Sequence, residues 1–357
     1  MKILIDIGHP AHVHFYAKPI ELWRNAGHSV IITSRIKEMA ADLLDALGVT
    51  HNILSKMNDG SKTGMIGELV GRDLALLKVV IRDKPDILTG IGGIYVAHAG
   101  FLTRTPSITF YDTENATLSN LITYPFTSLV AVPDCYKGWL PPWHLRYPGY
   151  HELSYLHPNR FVPDKEKAIA AGLEPSRPTF LLRAVAWKAN HDMNEKGWNI
   201  DLIKTLVDYL SRRGKVIISS ENELPEDLKS FRYRGKHEDV HHLLAYLSLF
   251  IGESATMASE CAVLGVPAVY AAQTGRGYTD EQEEKYGLVY NVRNFEWKSL
   301  HLVLEDILRQ SADFWREKRE KLLREKIDVC KFVEKLVTDF PRLPGKAKMR
   351  NSTEIQR

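Results

Sequence analysis

The feature that most constrains this chain is an alternation of short apolar segments with helical patterns, which occurs along two stretches of the sequence. Lys2 to Ile7 is largely apolar and ends at a glycine, and a helical pattern of apolar residues then continues to Trp23. Ser29 to Ser34 forms the next apolar segment. Strands that alternate with helices pair in parallel and are covered by helices on both faces. The sequence therefore predicts an α/β fold built on parallel sheets.

The same patterns place further elements in each stretch. In the first we expect helices over 38–47 and 66–82 and from residue 95, with strands over 87–89 and 107–111. In the second we expect strands over 179–182, 215–219, 249–252 and 268–271, helices over 199–213, 240–247 and 256–264, and a charged helical stretch over 314–336.

The alternation is interrupted between about residues 141 and 163, where prolines, aromatic residues and histidines follow one another without a period. A chain of 357 residues is long for one core, and each half has the usual size of a domain. We therefore predict a first domain over 1–160, a second over 161–340 and a mobile tail over 341–357. The last helix could cross back to the first domain.

Composition excludes several classes of protein. Apolar residues make up 44% and charged residues 25%, which is typical of a folded globular chain. A net charge of +3 is too small to favour nucleic acid as a partner. The cysteines are Cys135, Cys261 and Cys330, whose number and spacing favour neither disulfides nor a thiolate zinc site. No apolar run approaches the ~20 residues of a membrane span. We expect a cytoplasmic protein, with any membrane contact peripheral and at the inner surface.

The loop after the predicted strand 249–252 carries the most informative motif. Small residues there allow a phosphate to approach the backbone, Ser254 or Thr256 can cap the following helix, and the helix dipole favours an anion. Glu260 lies further along that helix, where a carboxylate could accept hydrogen bonds from two ribose hydroxyls. These residues predict a nucleotide site, and the alternative is a capped helix with an incidental glutamate.

The segment GESATMASECAVLGVPAVY resembles the nucleotide-sugar loop and helix of two-domain glycosyltransferases of the B-type fold, GT-B. The lipid-linked N-acetylglucosaminyltransferase of peptidoglycan synthesis and UDP-N-acetylglucosamine 2-epimerase belong to this class. The chain to about residue 340 also resembles a family of uncharacterised, glycosyltransferase-like proteins of bacteria and archaea. The resemblance implies two Rossmann-like domains facing a cleft. It implies that Glu260 binds the ribose and that four residues lie at the donor, namely Ser254, Ala255, Thr256 and Met257.

The amino-terminal loop is similar to the His-containing glycine-rich loop of the peptidoglycan enzyme, with His12 at the position of its motif histidine and Pro10 and Ala11 in place of glycines. An imidazole is neutral near pH 7 and can act as a base, and Asp6 or Glu114 could orient it. We predict His12 and Glu114 as catalytic. Acceptor-side predictions are His9, His14, Gly92, Gly93 and Asn115.

Two alternatives stay open for the histidines of this loop. His9, His12 and His14 could form a metal cluster, but no carboxylate completes a ligand spacing, so no metal site is predicted. His9 and His14 could instead cap the helix and bond to the backbone. The segment Glu114-Asn115-Ala116 with Asn120 is similar to a second loop on the amino-terminal side of the cleft.

On the carboxyl-terminal side, Arg183 follows a predicted strand and could contact a diphosphate through two N–H groups, and the cluster Trp187, Asn190, His191 and Asp192 follows it. The alternative is a surface ion pair. Ser219 and Glu221 end the next strand and could face the donor. Gly275 to Tyr278, with Glu281 and Gln282, resembles a mobile loop that contacts the donor sugar, and Arg276 lies within it.

The aromatic residues before the second domain have two interpretations. Trp139, Trp143, Tyr147 and Tyr150 could stack on a sugar or enter a lipid interface, and packing between the domains is the favoured alternative.

We predict metal-independent transfer of a sugar from a nucleotide diphosphate donor to a glycan or lipid-linked acceptor. The alternatives are a nucleotide-sugar 2-epimerase, for which Asp112, Glu114 and Glu281 could supply carboxylates, and a non-catalytic binding or scaffold protein. No cofactor is predicted, because the nucleotide-sugar, expected to be UDP-linked, is itself a substrate.

Overall fold

The computed structural model describes residues 1–36, 43–45, 50–56, 62–114, 116–184, 198, 200–293 and 296–342. The chain divides into two compact units. The first unit contains Met1–Arg160 and the chain from Ile327, and the second contains Phe161–Lys326. The last helix therefore lies with the first unit and not with the range 161–340. No helix in the described part of the chain has both the length and the apolar character needed to cross a bilayer.

The first unit is a parallel sheet with helices. Its strands are β1 (Lys2–Ile7), β2 (Ser29–Ile36), β3 (Asn52–Lys56), β4 (Ile87–Ile91), β5 (Ser107–Phe110), β6 (Leu129–Pro133) and β7 (His144–Tyr147). Its helices are α1 (Pro10–Asn25), α2 (Lys62–Asp83), α3 (Ile94–Thr103), α4 (Thr117–Thr123) and, at the end of the chain, α12 (Val329–Asp339). Short 3₁₀ turns cover Tyr124–Phe126, His151–Ser154 and Phe340–Arg342.

The core of this unit follows from apolar strands with amphipathic helices on them. Within the described residues the strands pair in the order β3-β2-β1-β4-β5-β6-β7, and every pairing is parallel. Leu4 and Leu88 of the central strands pack with Leu76 and Val80 of α2 and with Val96 of α3. Parallel strands of this kind are buried on both faces, which explains their continuous apolar runs.

Helix α12 belongs to this unit because of specific contacts. The Trp23 indole N–H donates a hydrogen bond to the carbonyl of Glu334 at 3.2 Å. The rings of Phe332 and Tyr147 lie 4.7 Å apart between centroids. The guanidinium of Arg160 pairs with Asp328 at 2.7 Å, just before the helix begins.

The second unit repeats the architecture. Its strands are β8 (Thr179–Ala184), β9 (Lys215–Ser220), β10 (Leu249–Gly252), β11 (Ala268–Ala271) and β12 (Val289–Val292). Its helices are α5 (Lys165–Ala170), α6 (Ile200–Ser211), α7 (Val240–Leu244), α8 (Ala255–Leu264), α9 (Gly277–Glu284), α10 (Trp297–Arg309) and α11 (Ala312–Glu325), with 3₁₀ turns at Glu226–Phe231 and His237–Asp239. The strands pair in parallel in the order β12-β11-β10-β8-β9.

Each sheet has a point where the strand order reverses. In the first sheet the chain proceeds outward on one side from β1 and on the other from β4, and in the second sheet the reversal lies between β8 and β10. Ligands of open parallel sheets bind outside the carboxyl ends of the strands at such a switch point. Topology therefore directs attention to the loops after β1, β4, β8 and β10.

Most predicted strands and helices are confirmed within a few residues, and the exceptions have identifiable causes. The helix predicted over 38–47 lies mostly outside the described residues, as does the tail from residue 343. The single charged helix over 314–336 is wrong, because Lys326 ends α11 and Asp328 caps a new helix, α12. Strand β7 lies within the segment that was predicted to be aperiodic.

Candidate functional site

Arg183 lies at the switch point of the second sheet, near the carboxyl end of β8. It is in register with Gly252 of β10 on one side and Ser219 of β9 on the other. One terminal N–H group donates to Ser219 Oγ at 2.9 Å, and the other donates to Glu221 Oε1 at 2.6 Å. Gly252 is required here, because a Cβ at this position would lie 2.7 Å from Arg183 Cβ. The structure thus brings together three residues that the sequence predicted one by one.

Helix α8 begins at Ala255, three residues after Gly252, the strand residue that is in register with Arg183. Ser254 is its N-cap, and its hydroxyl oxygen accepts from the Met257 amide at 3.3 Å. The capping residue is therefore Ser254 and not Thr256. The first turn of the helix carries the positive end of the helix dipole, which stabilises anions. Because Glu253 N donates to the Arg183 carbonyl at 3.1 Å, the arginine and the helix amino end are held together at one edge of the sheet.

Glu260 lies in the second turn of α8 and is only 5% exposed. Its Oε1 is 2.9 Å from Nε2 of His241, a buried residue of α7. No sequence pattern indicates this pair, because the two residues are 19 positions apart. The role of Glu260 in binding a ribose stays a prediction.

The predicted mobile loop over 275–278 is wrong in its second half. Gly277–Glu284 is helix α9, in which Tyr278, Thr279 and Gln282 are buried. Gln282 is fully buried and donates to Ser259 Oγ at 2.7 Å, so it joins α9 to α8 and has no exposed surface for a donor sugar. Glu281 pairs with the buried Lys326 at 2.8 Å.

Arg276 is the residue that caps the amino end of α9, and its Nη1 donates to the Gly275 carbonyl at 3.0 Å. Its contact with a donor stays a prediction. The cluster Trp187, Asn190, His191 and Asp192 and the acceptor-side Asn115 lie outside the described residues.

The switch point of the first sheet carries the predicted base. His12 lies in the first turn of α1, and its Nδ1 accepts from the Gly8 amide at 3.3 Å. His9 is the N-cap of α1 and accepts from the Ala11 amide at 3.2 Å, as the capping alternative predicted for it. The ring of His14 instead packs on the ring of Tyr155, with 5.4 Å between the centroids.

The expectation that Asp6 orients His12 is wrong. Its carboxylate is buried and bonded to Arg72 at 2.9 and 3.0 Å and to the Thr33 hydroxyl at 2.8 Å. Asp6 therefore neutralises a buried arginine of α2. Glu114 accepts from the Lys137 amide at 3.3 Å, and its catalytic role stays a prediction.

Three groups that were not connected with His12 from the sequence act on it electrostatically, namely Asp112, His151 and Arg72. Asp112 follows β5, and its Oδ2 lies 3.1 Å from Nδ1 of the buried His151. Burial acts to raise the pKa of Asp112, but the charge and hydrogen bond of His151, with the Thr113 hydroxyl, lower it to about 2. His151 Nε2 is buried and has no hydrogen-bond partner among the described residues.

The pKa of His12 is lowered to about 3, chiefly by desolvation and then by the charge of His9, while Asp112 acts in the opposite direction. His12 is therefore neutral near pH 7. Neutral imidazole has one lone pair, which here lies on Nδ1 and accepts from the Gly8 amide, so His12 can take up a proton only when Nδ1 releases that amide.

The glycine turn after β4 completes this edge of the first sheet. Gly92 has φ +66°, a left-handed conformation that favours glycine, and its carbonyl accepts from the Tyr111 hydroxyl at 2.7 Å. A Cβ on Gly93 would lie 2.5 Å from Thr109 Cγ2. The two glycines therefore allow the turn to pack closely, and their acceptor-side role stays a prediction.

The four aromatic residues before the second unit differ in burial. Tyr147 and Tyr150 are fully buried, so for them the structure supports packing and excludes contact with lipid. Trp143 is partly buried and donates to the Tyr124 carbonyl at 3.1 Å. Trp139 is 70% exposed.

Residues 1–275 match the family described as "Protein of unknown function (DUF354)". The chain belongs to this family. This chain of 357 residues is also similar to a relative from Methanocaldococcus jannaschii, the uncharacterized protein MJ0665. The identity is 21% over 282 residues, which cover 75% of this chain and 81% of the relative. The predicted resemblance to an uncharacterised family is confirmed.

Solved structures that are similar over most of the chain include UDP-N-acetylglucosamine 2-epimerases and glycosyltransferases. The DUF354 chain is similar to the Staphylococcus aureus MnaA–UDP co-structure, with TM-score 0.68, 9% identity and coverage of 96% and 97% of the two chains. It is similar to a putative UDP-N-acetylglucosamine 2-epimerase from Listeria monocytogenes, with TM-score 0.67, 12% identity and coverage of 96% of this chain and 98% of the other. It is also similar to Acinetobacter baumannii MurG, with TM-score 0.60, 12% identity and coverage of 95% of this chain and 99% of the other. At such identities the likeness establishes the GT-B fold.

Proposed function

We propose that this protein is a GT-B enzyme that binds a nucleotide diphosphate-sugar at the carboxyl edge of the second sheet and transfers the sugar to a glycan or lipid-linked acceptor. The observation that carries the proposal is the meeting of Arg183 with the amino end of α8 at the switch point of that sheet. A guanidinium and a helix amino end both stabilise the negative charge that develops on a departing diphosphate. UDP is the first candidate nucleotide, because similar structures include a UDP complex.

The residues at the carboxyl edge of the second sheet then have the following roles. The diphosphate contacts the first turn of α8 at Ser254, Ala255 and Thr256, and it replaces Glu221 as the partner of Arg183. Glu221 can give way because its side chain is about half exposed. Glu260 accepts hydrogen bonds from the ribose, with His241 holding its carboxylate.

The transfer requires a base and a leaving group. The acceptor hydroxyl gives its proton to Nδ1 of His12, which exchanges the Gly8 amide for this hydroxyl, as the hydroxyl oxygen bonds to the anomeric carbon. The bond to the diphosphate breaks with both electrons on the diphosphate oxygen. A pKa of about 3 makes His12 a weak base in the free protein. The neutral form that prevails near pH 7 is the form that can take up the proton.

Calorimetric titration with UDP, other nucleoside diphosphates and UDP-sugars tests the site. We expect Glu260→Gln to weaken binding of the preferred nucleotide about ten-fold, the effect of losing one hydrogen bond to a charged group. Glu305→Gln is the matched control, because Glu305 pairs with Tyr209 and Arg213 at the end of α6, by the opposite edge of the sheet. Wild-type protein that binds none of these nucleotides would exclude the proposal.

A 2-epimerase is the second candidate, and the group formed by His12, Asp112 and His151 favours it. Epimerisation removes a proton beside the anomeric centre and returns it to the other face of the ring, so it needs more than one acid–base group. Incubation with UDP-N-acetylglucosamine alone separates the two functions. An epimerase converts this donor without an acceptor, whereas a transferase gives at most slow hydrolysis.

A further inference from the structure

An apolar surface on the first unit is separate from the residues discussed above. A groove of about 420 Å³ lies between α2, α3 and the segment after α4, and its lining includes Leu74, Leu77, Phe101, Leu102, Ile122 and Phe126. The rings of Phe101 and Phe126 meet edge to face at 5.3 Å. Leu74, Phe101, Leu102 and Phe126 are all exposed despite their size.

The apolar surface continues along the helices on both sides of the groove. Val70 and Ile81 are exposed on α2, one turn before and two turns after Leu74. Leu118 is exposed on α4, one turn before Ile122 and on the same helical face. Soluble proteins seldom expose so many large apolar side chains together without a partner. We call this set, from Val70 to Phe126, the apolar face.

Positive charges border the apolar face. Lys78 lies on α2 one turn after Leu74, and Arg104 lines the neighbouring surface groove with Phe101 and Leu102. Lys84 follows α2. Lys78, Lys84 and Arg104 are exposed, and none of them forms an ion pair within the described part of the chain.

Two acidic residues of the same region have a basic partner, and a third, Asp86, is bonded among the described residues only to a neutral backbone amide. Asp73, in the groove, lies 2.9 Å from His98. Asp83 pairs with Arg82 at 2.7 Å, and Asp86 accepts from the Lys2 amide at 2.6 Å. Among the described residues of this border, the three cations Lys78, Lys84 and Arg104 outnumber the one uncompensated carboxylate, Asp86, so the border is net positive.

From this combination we propose that the apolar face docks the protein on an anionic lipid bilayer. Exposed leucine and phenylalanine side chains enter the acyl boundary, while the bordering cations contact lipid phosphates. A second copy of the chain fits less well, because in a two-fold interface the same surface meets itself and the bordering cations of the two copies would face each other. This inference does not depend on the proposed function, and its test needs no nucleotide.

Co-sedimentation of the full chain with vesicles tests the docking. We expect binding to phosphatidylcholine vesicles that contain phosphatidylglycerol, weak binding to pure phosphatidylcholine, and weakening by salt. Leu102→Ser should lower the partition coefficient about three- to ten-fold, since it removes one inserted side chain. Leu302→Ser is the matched control, because Leu302 lies on α10 of the second unit and both leucines are 66% exposed.

A second pair of variants tests the charge. Lys78→Gln should weaken binding to the anionic vesicles about five-fold, whereas Lys165→Gln, which removes an exposed lysine of α5, should leave it unchanged. Wild-type protein that stays in the supernatant with anionic vesicles would overturn the proposal. A dimer in solution that Leu102→Ser dissociates, without vesicle binding, would also overturn it and assign the face to subunit contact.

Discussion

Arg72→Met is expected to lower the free energy of unfolding by about 3–5 kcal/mol, the cost of leaving one partner of a buried ion pair alone. Arg72 is 3% exposed and Asp6 is 6% exposed, and two bonds of 2.9 and 3.0 Å join them. Methionine fills much of the space of the arginine stem but leaves the Asp6 carboxylate with the Thr33 hydroxyl. Urea unfolding of the full chain at neutral pH measures the loss.

The matched control is an exposed pair of the same unit. Lys18→Met removes the partner of Glu21. In this pair Lys18 Nζ lies 3.0 Å from Glu21 Oε1, and the Glu21 side chain is 57% exposed. We expect that change to stay within about 0.5 kcal/mol, because solvent screens surface pairs. Adding Asp6→Asn to Arg72→Met should restore part of the stability, since it removes the buried charge. A loss below about 1 kcal/mol for Arg72→Met alone would contradict the argument that burial controls the cost.

The buried pair also has a consequence for the switch point. Arg72 lies on α2, and its partner Asp6 lies on β1 just before the loop of His12. The pair therefore fixes the helix that carries half of the apolar face to the strand that ends at the predicted base. A variant that loosens it should disturb both the His12 loop and the vesicle-binding surface.

Strands β1, β2, β4, β5 and β8 to β11 could be predicted, because parallel strands buried on two faces have short apolar runs between glycines and polar turns. The same logic located Arg183, Ser219 and the Ser254 loop, since carboxyl ends of neighbouring parallel strands meet at one edge. Strands β3, β6, β7 and β12 were not predicted. Strand β7 is short and follows prolines, and α9 was missed because glycines at 275 and 277 indicate a loop.

Partners of the site residues could not be predicted, because each lies on another element far along the chain. His241 and Glu260 are 19 positions apart, and Arg72 and Asp6 are 66 apart. A carboxylate near a histidine in sequence suggested that Asp6 orients His12. Asp6 instead pairs with Arg72, because an arginine buried beside β1 requires a carboxylate as its counter-charge.

The second large effect concerns pH. The pKa of His12 is about 3 in the folded protein, mainly because burial disfavours the charged imidazolium, and about 6.5 in the unfolded chain. Above pH 6.5 both states are neutral, so His12 contributes nothing. As the pH falls from 6.5 towards 3, the unfolded state takes up a proton that the folded state does not, so the folded state loses stability. We expect His12→Gln to remove this loss. The difference in free energy of unfolding between His12→Gln and wild type should therefore be about 1–2 kcal/mol more favourable to the variant at pH 5 than at pH 7.5.

Urea unfolding of both proteins at pH 7.5, 6 and 5 measures the difference, and His237→Gln, which removes an exposed imidazole, serves as the control. Asp112 does not produce the same signature, because its lowered pKa of about 2 contributes stability that is lost only below its ordinary value near 4. A parallel pH dependence for wild type and His12→Gln would mean that His12 is charged or solvated in the folded protein. It would then lack the neutral imidazole from which its role as a base was argued, and Asp112 with His151 would become the acid–base pair to examine.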